Sequence, residues 1–223
     1  MNNLVKTGEK YMKKKLKVLG ISVLSLILVL IIGVGMIFKG EIRTLISFKQ
    51  LNEHPFYEMT YHADYNLDEF LINGAATDDE LVSFVTKQIL KGVSFDVNPD
   101  GACSTFIATN LEDENLFGRN FDYVHSIGLI VRTQPKNGYK SISLVNLNHL
   151  GLSLENMPTK NFINRVITLA APYAPLDGMN EKGLAIGVLV IQDGKVHQNT
   201  GKVPITTTSA IRMVLDKAAT VDE

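Results

Sequence analysis

The sequence predicts an α+β layered domain carried behind one membrane anchor. Three observations predict it. An uncharged apolar run extends from Val18 to Phe38. Two β-prone pairs, "CSTFIATN" with "LFGRNFDY" and the two halves of "IGLIVRTQPKNGYKSISLVNL", are each folded by a polar turn. Helical patterns stand before and after them, and strand pairs grouped apart from helices favour layers rather than an alternating parallel sheet.

The apolar run is long enough to span a hydrocarbon core of about 30 Å as a helix. A cleaved signal peptide has an apolar region of about 7–15 residues ending in small residues. Here the run is longer and ends "GMIFKG", so an uncleaved anchor is the preferred reading and a secreted, cleaved form is the alternative. Lys6, Lys10, Lys13, Lys14, Lys15 and Lys17 precede the run, whereas Lys39, Arg43 and Lys49 follow it more sparsely. The positive-inside rule then places the N-terminus in the cytoplasm and everything after Lys39 outside. Four segments follow: a basic cytoplasmic stretch 1–17, the anchor 18–38, a juxtamembrane or pro-segment 39–102, and a strand-rich domain 103–223.

Within 39–102, residues 39–66 are of mixed character. "TDDELVSFVTKQILKG" then predicts a helix over about 78–91, with Thr77 and Glu80 as a capping box and Gly92 as the stop. "DVNPDGA" is a loop leading to Cys103. The first hairpin turns at "LEDEN" and the second at Pro135–Lys136–Asn137–Gly138. "NFINRVITLAA" fits either helix or strand. "DGMNEKGLAIGVLVIQDG" reads as a turn followed by a buried strand from Leu184 to Ile191, and a last helix starts near Thr207.

Composition narrows the chemistry. With 45% hydrophobic residues and a net charge of -1, the chain is neither disordered nor a general nucleic-acid binder. One cysteine excludes an internal disulfide and a cysteine-rich zinc module. His54, His62, His125, His149 and His197 are scattered without metal-ligand spacing, and "LEDEN" lacks a full calcium-loop pattern, so no metal or cofactor is expected. His125 follows Asp122 closely and is a pocket candidate, with loop surface as the plainer reading.

The lone thiol of Cys103 is a buried small hydrophobe, a metal ligand or a nucleophile. If the hairpin turn centres between Glu112 and Asp113, Cys103 faces Asp122 and Phe106 faces Arg119. Arg119 and Asp122 are three apart, so a regular strand puts them on opposite faces, and both reach Cys103 only through a bulge near Gly118 or Asn120. A cation beside a thiol favours the thiolate, the reactive form. The plainer reading of Arg119 and Asp122 is a surface ion pair.

Cys-Ser-Thr-Phe from Cys103, Gly118-Arg119-Asn120-Phe121-Asp122 and Asp177-Gly178-Met179-Asn180-Glu181-Lys182-Gly183-Leu184, in this order and spacing, resemble the choloylglycine hydrolase family of linear amide C–N hydrolases. Bile salt hydrolases and penicillin V acylases belong there, and acid ceramidase is a more distant relative. The resemblance covers about residues 75–223. It implies an N-terminal-nucleophile αββα sandwich whose cysteine is freed by self-cleavage between Ala102 and Cys103. It implies Cys103 as nucleophile, Asp122 holding the freed α-amine, and Arg119 supporting the thiolate and orienting substrate. A free α-amine titrates near about 7.7–8.0, suited to a base at neutral pH. The family's first oxyanion-hole asparagine falls on Val190, whose side chain donates nothing, so a backbone N–H must serve or the alignment slips. Asn180 is a weak oxyanion candidate and more readily a turn residue. The second asparagine and a late arginine find no counterpart before Glu223, which implies a sandwich incomplete at its C-terminus: a piece of a longer protein or a catalytically incomplete one.

The leading expectation is therefore an extracytoplasmic amidase for a small-molecule N-acyl amide, of bile salt, penicillin V or N-acyl lipid type. Its membrane contact runs through residues 18–38, with no nucleic-acid partner and homo-oligomerisation left open. An acyltransferase on the same fold and a non-catalytic anchored binding module are the alternatives.

Overall fold

The computed structural model describes residues 2–52, 54–97, 102–122, 126–189 and 200–223. The polypeptide is mixed α+β. Its N-terminal helix α1 (Asn2–Ile37) contains the apolar stretch Lys14–Ile37, which is long and apolar enough to cross a membrane and is free of packing against the rest of the chain. A single residue, Phe38, separates α1 from α2 (Lys39–Ser47). The hydrogen-bond ladder continues across it: Phe38 N–H donates to Val34 O at 3.0 Å, and Ile42 N–H to Phe38 O at 2.9 Å.

Residues 39–66 supply α2 and two strands of the central sheet. Strands β1 (Lys49–Gln50), β2 (Phe56–Thr60), β5 (Gly128–Thr133), β6 (Ser141–Asn146), β7 (Pro175–Asn180) and β8 (Ala185–Gly187) lie side by side in that order. The pairing of β2 with β5 is parallel, and the other four are antiparallel. Strands β3 (Ala102–Thr109) and β4 (Asn115–Asp122) form a separate two-stranded sheet.

Alternation along the strands decides which sheet face is the core. Tyr57, Met59, Leu129, Val131 and Val145 are fully buried on one face. Against it lie α3 (Leu67–Asn73), α4 (Asp78–Gln88) and a 3₁₀ segment (Thr168–Tyr173). Phe70, Phe84 and Tyr173 bring these three helical elements together, with ring centroids 5.1–5.7 Å apart in edge contacts.

Local chemistry explains most boundaries. In α4, Thr77 Oγ1 accepts the Glu80 N–H at 3.2 Å, while the Glu80 carboxylate reaches back to Ala76 N–H at 2.7 Å. The helix ends at Gln88, three residues before the predicted end, and the chain turns through Lys91 and Gly92 at positive φ. "NFINRVITLAA" becomes α5 (Phe162–Ile167) and then the 3₁₀ segment. The last helix, α6 (Thr207–Lys217), starts where the sequence places it.

Two readings change. Asp177–Asn180 are strand, not turn, and the turn falls on Glu181–Gly183. Gly178 allows this, because a Cβ there would lie 2.6 Å from Ile142 O and 2.8 Å from Leu215 Cδ1. The predicted strand Leu184–Ile191 is strand only over Ala185–Gly187, half-buried, and Val190 and Ile191 lie outside the described residues.

Candidate active site

The β3–β4 hairpin closes through a loop centred on Glu112. Asp113 adopts a left-handed conformation (φ 59°), and Asn110 Oδ1 accepts the N–H groups of Glu112 and Glu114 at 3.0 and 2.8 Å. A short loop that ends on a left-handed residue is a common way to join antiparallel strands. It moves the register by one residue from the predicted one. Cys103 stands opposite Phe121, Thr105 opposite Arg119 and Ala102 opposite Asp122, in eight unbroken pairs.

This shift corrects three expectations. Cys103 does not face Asp122, Phe106 does not face Arg119, and there is no bulge at Gly118 or Asn120. Arg119 and Cys103 share a face as diagonal neighbours, so a regular strand suffices to join them. Asp122 lies on the other face and is exposed, accepting from Asn120 Nδ2 at 2.6 Å.

Arg119 is the hub. Its Nη2 donates to Cys103 Sγ at 3.0 Å and to Val188 O at 2.9 Å, and its Nη1 donates to Asp177 Oδ2 at 2.7 Å. The guanidinium lies 5.4 Å from the centroid of Phe121. The Arg119 side chain is only 4% exposed and that of Asp177 18%, so the pair is largely shielded from water. Burial pushes the Asp177 carboxyl above the ordinary carboxylate range, and the charge and hydrogen bond of Arg119 oppose that rise. The hairpin thus packs on the sheet face away from the core, over β7 and β8. Gly187 permits the approach: a Cβ there would meet Arg119 Cδ at 3.1 Å and Phe117 Cζ at 3.2 Å.

Asp177 is a site residue that sequence reasoning did not single out. It lies inside the Asp177–Leu184 motif, whose Asp, Asn and Gly predict a turn. The signal available was a carboxylate in a segment otherwise suited to burial, with Arg119 in need of a counter-ion. The Val188 carbonyl carries no sequence signal at all.

The remaining candidates separate. Asn180 is buried (4% exposed) on the opposite face of β7 from Asp177. Its Oδ1 accepts the N–H groups of Lys182 and Leu184, and its Nδ2 donates to Leu215 O and Ala218 O at 3.2 and 2.7 Å. Its bonds tie the β7–β8 turn to the end of α6. Val190 and His125 lie outside the described residues. Buried His149 meets Phe121 edge-on at 5.7 Å. Among the described residues, no cluster of three or more His, Cys, Asp or Glu side chains has a metal-binding arrangement.

Chemically, the site holds a half-buried thiol whose sulfur accepts a hydrogen bond from a guanidinium. Cysteine is among the residue types that attack carbonyl carbon in covalent catalysis. A family model, linear amide C–N hydrolases of the choloylglycine hydrolase family, matches residues 103–223, beginning at this cysteine. Neither a curated protein nor a solved structure gives a match.

Proposed function

Because the chain belongs to the choloylglycine hydrolase family of linear amide C–N hydrolases, we propose that it is a cysteine amidase that splits a linear N-acyl amide through a thioester at Cys103. The observation that carries this reading is the Arg119 fork, with one arm on Cys103 Sγ at 3.0 Å and the other on Asp177 at 2.7 Å. It holds a cation where a thiolate would form and fixes that cation from behind.

In the uncut chain the Cys103 nitrogen is an amide and is no base. The proposed first step is therefore internal. Sγ attacks the Ala102 carbonyl, the Ala102–Cys103 C–N bond breaks, and the Cys103 nitrogen takes up the proton. Water then hydrolyses the resulting thioester, leaving an Ala102 carboxylate, a free thiol and a free α-amine. Asp122, across from Ala102 in the ladder, is proposed to hold that amine after the strand end is released.

Turnover repeats the same chemistry on substrate. The α-amine takes the thiol proton, and the thiolate attacks the acyl carbonyl. The leaving amine carries the proton away, and water hydrolyses the acyl-enzyme. Arg119 supports the thiolate and orients the acyl group. At the family's oxyanion position, Val190, either a backbone N–H serves or the alignment slips to another residue. Helices on one face of the six-stranded sheet and the hairpin on the other are compatible with three layers of an αββα sandwich. We assign the catalytic domain to the extracytoplasmic side on the strength of the apolar stretch Lys14–Ile37 and the lysines before it.

The test is covalent. A thiol-reactive amide analogue followed by intact-mass measurement should give one adduct, absent in Cys103→Ala. Unchanged amidase activity in Cys103→Ala refutes the assignment.

A further inference from the structure

The way α1 enters the domain fixes which end of the sheet faces the bilayer. Past Phe38 the helix continues into α2, and α2 is bolted to β2 and the residues after it. Gly40 packs against Ala63, where a Cβ would lie 2.8 Å from Ala63 Cα. Buried Thr44 accepts the His62 N–H at 2.8 Å, and Ser47 Oγ exchanges hydrogen bonds with the backbone of Thr60 at 2.9 and 3.0 Å. As α2 runs away from the apolar stretch, its contacts step backwards along the chain, from Ala63 to Thr60. Strand β2 therefore runs toward the membrane that α1 would enter.

The register carries this direction across the sheet. The parallel neighbour β5 ends on the same side, at Arg132 and Thr133. The β5–β6 loop (residues 134–140) and the β7–β8 turn (residues 181–184) fall there too. Gly40 is three residues beyond Ile37, about 4.5 Å along a helix axis. The headgroup layer is roughly 5–7 Å deep on each side of the hydrocarbon. Ala63 and His62 thus sit at headgroup depth, with the rest of this rim beside them.

The rim is basic. Arg132, Lys136, Lys140 and Lys182 are all exposed on it, and Lys39 and Arg43 flank it on α2. Against these six cations stand Glu41 on α2, Asp64, Glu69 and Glu181, while Asp68 is taken by Lys217. A groove of about 410 Å3, lined by His62, Arg132, Lys140, Ile142 and Met179, opens at this end. Met179 and Ile142 share a sheet face with Asp177, so the groove lies on the face that carries the Cys103 site, two residues or about 7 Å from Asp177 along β7.

We infer that this rim rests on the anionic headgroup layer of the bilayer, so that the groove at the end of the Cys103 face opens beside the membrane surface. The inference rests on α1 as a retained span. The test uses the full chain with Cys103→Ser in nanodiscs of phosphatidylcholine, with and without phosphatidylglycerol. An environment-sensitive fluorophore is placed on Lys136→Cys at the rim, or on His54→Cys beyond the far end of β2. The quencher is a lipid spin-labelled at its headgroup. Quenching at position 136 should exceed that at 54 several-fold and should rise with phosphatidylglycerol. Each cation near an anionic surface is worth about fivefold in partition, so Lys140→Glu with Lys182→Glu should abolish the rise. A chain that stays in the disc with positions 136 and 54 quenched alike, or without dependence on phosphatidylglycerol, overturns the rim alone. A chain that elutes without lipid overturns the span and the rim together.

Discussion

Removing Asp177 should expose how much of the site is held by one ion pair. Asp177→Ala leaves the Arg119 guanidinium 4% exposed, with its Nε already lacking an acceptor among the described residues. Truncating one partner of a buried pair costs about 3–5 kcal/mol, because a charge is left uncompensated. Asp177 retains 18% exposure and Arg119 keeps the Val188 carbonyl, so the lower end, about 3 kcal/mol, applies. For a domain of this size that is a fall in Tm of about 6–12 °C. The measurement is thermal unfolding of the full chain in detergent, in a Cys103→Ala background that keeps every variant uncut. Arg119→Met with Asp177→Ala removes both charges and should cost clearly less than the two single changes added together. A loss within about 0.5 kcal/mol for Asp177→Ala, as at an ordinary surface site, refutes the reasoning, and so does strict additivity. With Cys103 restored, Asp177→Asn should also slow alkylation of the thiol, since the fork loses its anchor.

The raised carboxyl of Asp177 gives a pH signature: the folded state binds its proton more readily than the unfolded chain. Its stabilising contribution is therefore full at low pH and lost as pH rises through the folded-state pKa. The Tm difference between parent and Asp177→Asn should change across the mildly acidic range and level off above it; a constant difference refutes the assignment. Self-cleavage between Ala102 and Cys103 should proceed at a rate independent of protein concentration, because held geometry replaces an encounter. Mass spectrometry of a dilution series checks this, and a new N-terminus at any residue other than Cys103, or a rate that falls on dilution, sinks it.

Where local chemistry is sufficient, the sequence was legible. Thr77 and Glu80 announced α4, and Pro135–Gly138 announced the β5–β6 loop, because a cap and a turn involve only neighbours. Family membership was legible from three short motifs around Cys103, Arg119 and Asn180. The hairpin register was not, because it depended on whether Asp113 would adopt φ 59°, a choice of one residue's backbone. That choice decided whether Arg119 or Asp122 shared a face with the thiol. Strand β2 was missed because a five-residue strand, with Glu58 in its middle, carries little alternation to read. Asp177 was missed because its partner Arg119 is 58 residues away and on another sheet.

The parallel union of β2 with β5 gives the proposed cut an asymmetry in time. While Ala102 and Cys103 are joined, β2 and β5 belong to one polymer, and an unfolded chain can always search for itself. Severing that bond changes almost nothing in the folded protein, since five residue pairs still knit the pieces into one sheet. It changes the denatured state entirely. Two separated pieces must meet before that ladder can re-form, so refolding becomes second order and slows on dilution. The mature protein would then be a product of its history, assembled once as a single chain and maintained afterward by the height of its unfolding barrier.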